Sequence, residues 1–280
     1  MKTFKKRVLV SCSSNKIQLL KSLKNFNKKL IYKIDIFPAD MNNKVRTGNQ
    51  KNFIKMPEIK IQNRKKILDL LIRNDISYII PTSDIELHFW SKNKLFFQKK
   101  GIFICISNHK TIKFCQDKTK FYNFFTKNNL NVIPTSLEQV KTHLITKNRF
   151  SYETKIYFLD KVQRKNINKK LIFQEYISGK EFSLDCWFDI NSKLKKYILR
   201  ERSLIKNGLA IKTSFSKAPI KLIRIIKLIS SVYEFYGPIN FQFILKNKKF
   251  YFLECNPRVS GRIDASIRFG LNVWNYAFQK

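Results

Sequence analysis

The sequence predicts two architectures in one chain: α/β over the first hundred or so residues, then α+β with longer, largely antiparallel strands from about Leu171. Three observations carry this reading. Short apolar runs alternate with helix-period segments up to about residue 128. Beyond Leu171 the apolar runs lengthen. Two of them, 240–245 and 249–254, are separated only by Lys246-Asn247-Lys248, a hairpin signature. A length of 280 residues, 44% hydrophobic and 14% aromatic, supplies a core that a disordered basic tail would lack.

The elements follow in order. Val8-Leu9-Val10 is a short apolar strand that ends in the small residues Ser11-Cys12-Ser13-Ser14. Ile17, Leu20, Leu23 and Phe26 recur at three-residue steps between lysines, which predicts an amphipathic helix. Residues 30–36 predict a second strand and 40–43 a loop at a strand's carboxyl end. A helix over 67–74, strands over 77–81 and 101–106, and a helix over 117–128 continue the alternation, which favours a parallel sheet. The loop after the first strand has no glycine, so a dinucleotide fingerprint is disfavoured. Pro81-Thr82-Ser83-Asp84-Ile85-Glu86 reads equally as the rim of a ligand cleft or as a helix start capped by Ser83 or Asp84. In the second half, strands are predicted over 171–176, 181–189, 195–203, 240–245 and 249–254. An amphipathic helix over 221–235 is closed by Gly237-Pro238.

The charge excludes less than it suggests. Lys+Arg number 56 against 19 Asp+Glu, a formal net charge of +37. Only 12 of the basic residues are Arg and 44 are Lys, spread through every segment alongside many Asn, Ile and Phe. That is the signature of A/T-rich codons, and specific nucleic-acid binding, which favours clustered Arg, is not expected. Cysteines 12, 105, 115, 186 and 255 form no Cys-x-x-Cys pair, and the three histidines have no ligand spacing. They read as the reduced, mostly buried cysteines expected of a cytoplasmic protein. No uncharged run exceeds 11 residues, so no membrane span is expected. Lys5-Lys6-Arg7 precedes too short an apolar run for a secretory signal.

With so few acids, one that interrupts an apolar strand stands out. In Phe250-Tyr251-Phe252-Leu253-Glu254-Cys255-Asn256-Pro257-Arg258 the strand delivers Glu254, and Asn256 projects to the same side by period-two alternation. A carboxylate beside an amide oxygen suits Mg²⁺ shared with phosphate and water. Arg258 suits charge developing on a transferred phosphoryl group. Gln242, on the preceding strand, is placed to add a third oxygen.

Tyr251 through Gly261, preceded by Gly237-Pro238-Ile239-Asn240-Phe241-Gln242, resembles the end of an ATP-grasp domain of the carbamoyl-phosphate-synthetase-like branch, which includes carboxylate–amine ligases. Leu171 through Asp185 resembles that family's adenine hinge, and Asp117-Lys118 the pair opening its first helix. Arg200-Glu201-Arg202 with Gly208 and Lys212 resembles the strand–loop–strand after the hinge. The resemblance spans nearly the whole chain. It implies a pre-ATP-grasp domain over 1–112, a small lobe over 113–170 and a C-terminal lobe over 171–280. It also implies ATP and Mg²⁺ as cofactors, with small-molecule carboxylate and amine substrates, and leaves a homodimer open. Glu175, Tyr176 and Ile177 would then face adenine and Glu181 the ribose. Lys118, Lys147 and Lys155 would hold phosphates, and Gln242, Glu254 and Asn256 would bind Mg²⁺. Lys147 and Arg258 would serve the transfer itself. Asp40, Ser83, Asp84 and Glu86 are weaker candidates for substrate, and Arg200, Arg202 and Lys212 could face an anion. The family's glycine-rich phosphate lid aligns with residues 144–157, where Ser151 and Glu153 replace glycines. A nucleotide-binding module without turnover is therefore the alternative to a ligase.

Overall fold

The computed structural model describes residues 6–42, 52–138, 144–150, 156–158, 171–206 and 209–278. Its first unit is β1 (Arg7–Ser11), α1 (Ile17–Lys29), β2 (Asp35–Asp40), β3 (Ile54–Lys55), α2 (Arg64–Arg73), β4 (Tyr78–Pro81), α3 (Asp84–Lys92), α4 (Lys94–Gln98) and β5 (Phe103–Ile104). The five strands form one parallel sheet in the order β3-β2-β1-β4-β5. Strand alternation sorts its side chains onto two covered faces, as a parallel sheet requires. Leu9 and Ile79 pack with Ile67, Leu71, Leu87 and Trp90 of α2 and α3. Val8, Val10, Tyr78 and Ile80 pack on the other face with Leu20 and Leu23 of α1.

α5 (His109–Gln116) and α6 (Lys118–Lys127) lead to β6 (Thr135–Ser136), β7 (Leu144–Asn148), β8 (Ile156–Phe158) and β9 (Leu171–Glu175). These four strands make a small antiparallel sheet in the order β6-β9-β7-β8. β9 therefore belongs to the small sheet, which takes it past the expected lobe boundary at residue 170.

The remaining elements are β10 (Lys180–Phe188), β11 (Leu194–Lys206), β12 (Leu209–Ser216), α7 (Ile220–Val232), β13 (Gly237–Lys246), β14 (Lys249–Asn256), α8 (Ile263–Arg268) and α9 (Val273–Phe278). The strands form an antiparallel sheet in the order β12-β11-β10-β13-β14. The β13–β14 hairpin turns at Asn247 and Lys248, at φ 49° and 60°, the left-handed pair that matches strand twist. Behind this sheet, Leu222, Ile226 and Ile229 of α7 meet Phe241, Phe243 and Phe252, together with Phe121 and Phe125 of α6. Val259, Ile263 and Trp274 join the core on the α1 side of the parallel sheet, so the chain's end closes against its beginning.

The second strand departs from expectation. Ile31 and Tyr32 are 91% and 75% exposed, and the strand begins only at Asp35. All five cysteines are buried and free, as expected. No helix among the described residues is long and apolar enough to cross a membrane.

Candidate active site

β14 presents Glu254 and Asn256 side by side, as their spacing dictates, and Asn256 Nδ2 donates to Glu254 Oε1 at 2.8 Å. Three cations gather around this carboxylate: Lys118 at the start of α6, Lys147 on β7, and Arg258 just past β14. Burial alone would push the Glu254 carboxyl up. Lys118, the bond from Asn256, Lys147 and Arg258 outweigh it and hold the group below the usual carboxylate range. Burial pulls both lysines below their ordinary value, against the attraction of Glu254 on each.

The local chain explains why the cations converge. Asp117 caps α6, accepting from the N–H groups of Thr119 and Lys120 at 3.1 and 3.4 Å. The same carboxylate takes a two-point bond from Arg149, at 2.9 and 2.8 Å, which ties α6 to the end of β7. Lys118 Nζ then reaches Asn148 O at 3.2 Å. Arg258 donates from Nε and Nη2 to Asp84 Oδ2 at 2.8 and 2.5 Å, bridging from the C-terminal sheet to the start of α3. Of the two readings left open for residues 81–86, the structure divides the residues. Glu86 is fully buried and accepts from the N–H groups of Thr82 and Ser83, from Trp90 Nε1 and from Ser11 Oγ, so it holds the loop. Asp84 faces the site. Asp40 is likewise internal, accepting from Ser14 and from Asn42 N.

Gln242 lies opposite Glu254 in the β13–β14 register. Its oxygen is nonetheless turned to Arg202 Nη1 at 2.8 Å, and its Nε2 donates to Asn240 Oδ1. Arg202 Nη1 also bonds Glu181 Oε2 at 2.8 Å. A buried guanidinium needs acceptors, and it takes both residues expected to face metal and ribose. Arg200 is also committed, to Asp185 Oδ2 at 3.0 and 2.7 Å and to Ser266 and Thr213, while Lys212 is exposed. Sequence reasoning gave Asp185 no role. The signal that found Glu254, an acid interrupting an apolar strand, marks it equally well.

At the hinge, Glu175 and Tyr176 are exposed and Ile177 is buried with Ile133 and Ile244, beside Tyr251 and Leu253. The Glu175 N–H donates to Pro134 O at 3.1 Å. A Cβ on Gly179 would lie 2.6 Å from both Ile244 Cγ2 and Leu245 O, so only glycine lets the hinge lie against β13. Gly208 and residues 151–155 of the glycine-poor lid, Lys155 among them, fall outside the described residues.

Among the described residues no three His, Cys, Asp or Glu are grouped so as to hold a metal ion between them. A cation here would have Glu254 as its one carboxylate, with amide oxygens beside it. That all-oxygen set fits Mg²⁺ drawing its remaining ligands from phosphate and water.

The lysine shifts set a pH dependence. An unfolded chain, with ordinary lysines, binds more protons than the folded one between the lowered values and the usual lysine value. Stability from Lys118 and Lys147 therefore rises with pH across that window. Affinity for an anionic ligand runs the other way, falling as these lysines lose charge. Calorimetric titration with MgADP at increasing alkaline pH is expected to show that fall, and Lys147→Arg, which stays charged, to flatten it.

The parallel sheet, the small antiparallel sheet and the larger one, with a cationic cleft among them, make the ATP-grasp fold, and this chain has that fold. Residues 168–280 match a family model described as ATP-grasp in the biosynthetic pathway with Ter operon. The N5-carboxyaminoimidazole synthetase of Staphylococcus aureus complexed with ADP superposes with a TM-score of 0.69 at 15% identity, covering 96% of this chain and 74% of that one. An ATP-grasp superfamily protein from Archaeoglobus fulgidus gives 0.66 at 16% identity, over 97% and 87%. The biotin carboxylase domain dimer of Hydrogenobacter thermophilus 2-oxoglutarate carboxylase, with MgADP, ADP and bicarbonate, gives 0.62 at 16%, over 91% and 64%. No curated protein matches in sequence.

Proposed function

We propose that this chain is an ATP- and Mg²⁺-dependent ligase that activates a small-molecule carboxylate as an acyl phosphate for attack by an amine or similar nucleophile. The observation that carries this is the gathering of cations about one buried carboxylate. Lys118, Lys147 and Arg258 converge on Glu254 from three elements, Arg258 held there by Asp84, and burial lowers both lysines despite the acids near them. The phosphates of a nucleotide are the anions that such a cluster suits. Solved proteins of the same fold carry ADP and MgADP, which agrees with this assignment.

In this reading Ile177, Tyr251 and Leu253 wall the adenine, and Glu175 and Tyr176 lie at its edge. Lys118 and Lys147 hold phosphate, with Lys155 added from the lid. Glu254 and Asn256 would hold Mg²⁺, joined by Gln242 once its oxygen leaves Arg202, and the ion would neutralise phosphate charge. Arg258, fixed by Asp84, steadies the γ-phosphoryl group. A substrate carboxylate oxygen attacks the γ-phosphorus and the bond to the β,γ-bridging oxygen breaks, releasing ADP. The amine nitrogen then attacks the acyl carbon, phosphate leaves, and the nitrogen gives up a proton. Residues 1–112 would act as the pre-ATP-grasp domain, with 113–170 and 171–280 as the two lobes that close on nucleotide, apart from β9.

One observation favours the second reading, a nucleotide-binding module. The Gln242 oxygen is engaged by Arg202, which leaves Glu254 and Asn256 as the oxygen ligands for a cation among the described residues. ADP release separates the two. With a panel of carboxylic, amino and hydroxy acids and amines, a ligase releases ADP only when Mg²⁺ and both substrates are present. MgADP binding without release on any combination contradicts the ligase.

A further inference from the structure

We propose that α5 carries a further anion site, separate from the Glu254 cleft, in which His109, Lys110, Lys113 and Lys120 take up a polyvalent phosphate, inorganic or borne on a small molecule, together with a proton.

The site is a cavity of about 400 Å³ between α5, the first turn of α6 and the residue just past α7. That volume lies in the range of small-molecule sites. Lys110 and Lys113 come from α5 and Lys120 from α6, over a wall of Phe114 and Tyr233. The two rings of the wall stack with centres 3.7 Å apart. The Lys110 ammonium stands 5.9 Å from the Tyr233 ring centre, a cation–π distance that keeps it at the rim. Lys118 and Lys120 are two positions apart on one helix, about 200° around its axis. The buried Lys118 therefore serves the cleft, and the exposed Lys120 serves this cavity.

The histidine is set up to take a proton. Ser91 Oγ donates to His88 O at 3.2 Å and lies 2.9 Å from His109 Nδ1. With its own hydrogen committed, the hydroxyl accepts from Nδ1–H, which leaves Nε2 as the bare nitrogen. The groups around His109 oppose its protonation. Burial, then His88, Lys113 on α5 and Lys92 on α3 push it down to about 4, and no carboxylate acts against them. The His88 ring meets it edge to face at 4.6 Å. Glu234, next to Tyr233, is bound to Asn108 Nδ2 at 2.6 Å. β14 also packs on α5, where the thiols of Cys255 and Cys115 lie 3.4 Å apart.

These features select the ligand. Charges of one sign along an apolar wall focus potential into the cavity. A monovalent anion offsets little of it, whereas a phosphate offers several oxygens and two charges to donors on two helices. Its charge also offsets the repulsion on His109, so a protonated Nε2 becomes one more donor. Anion binding and proton uptake are thus linked, each strengthening the other.

The test follows the His109 ring signals of the full chain by NMR, assigned with His109→Gln. Sulfate keeps its double charge throughout the titration. Compared with chloride at equal ionic strength, it is expected to raise the His109 titration by about one unit or more, which is about tenfold tighter binding to the protonated form. Lys113→Gln combined with Lys120→Gln, both at exposed positions, is expected to remove most of that difference. Pyrophosphate and phenyl phosphate, titrated at pH 7 against the same signals, separate the inorganic anion from one carried on an organic group, and the tighter of the two identifies the source. Equal titration in sulfate and chloride, a difference unchanged in the double variant, or no response of His109 to either phosphate overturns the proposal.

Discussion

Glu254→Ala is expected to lower Mg²⁺-dependent ADP release by about 10²–10³-fold, the range for removing one preorganised electrostatic element from an active site. Among the described residues Glu254 is the charged oxygen ligand that the strand pair offers a cation, since Asn256 is neutral and the Gln242 oxygen is bound to Arg202. Its loss also removes the carboxylate that favours the charged forms of Lys118 and Lys147. Metal-free ADP should still bind, because the three cations remain and their attraction for phosphate no longer competes with Glu254. The diagnostic pattern is therefore lost turnover with retained metal-free nucleotide binding. Glu254→Gln, which keeps an acceptor for Asn256 Nδ2, should fold as the wild type does and share the activity loss. Equal ADP release by both variants and the wild type would remove Glu254 from the mechanism.

Arg200→Ala is expected to cost about 3–5 kcal/mol of folding stability, as breaking a buried ion pair from one side does. The side chains of Arg200 and Asp185 are 2% and 4% exposed. Asp185 also accepts from Asn240 Nδ2 at 2.7 Å and from Ser266 Oγ, so α8, β10, β11 and β13 meet at one carboxylate. Without Arg200 that charge stays buried with neutral partners only. Denaturant melts check the loss, and the double variant Arg200→Ala with Asp185→Ala should recover part of it, because it leaves no unpaired charge. A loss of under about 1 kcal/mol would contradict a structural role for the pair and return Arg200 to the substrate candidates.

What the sequence made legible was local. α1 and α6 follow from their apolar spacing, and the β13–β14 hairpin from two alternating runs around Asn247-Lys248. Glu254 and Asn256 share a face because a strand repeats every two residues. The second strand was obscured by two features. Ile31 and Tyr32 read as strand yet lie at the surface, and Pro38 interrupts a strand hydrogen-bonded on both sides, where proline is unusual. Strands β3 and β6 are two residues each, too short for any periodicity to register. The site's partnerships were hidden for a different reason. Asp84 and Arg258 lie 174 positions apart, and Arg202 takes Glu181 and Gln242 from two other strands. Nothing local to either motif announces the competing guanidinium.

The cationic cleft around Glu254 as the phosphate site of a magnesium nucleotide is tested most directly by calorimetric titration of ADP into the intact chain, with and without Mg²⁺. One nucleotide per chain is predicted, bound more tightly with Mg²⁺ and weakened by about tenfold or more in Lys147→Ala, which removes a partly buried charge-assisted contact. Absence of binding, or binding indifferent both to Mg²⁺ and to Lys147→Ala, would contradict it.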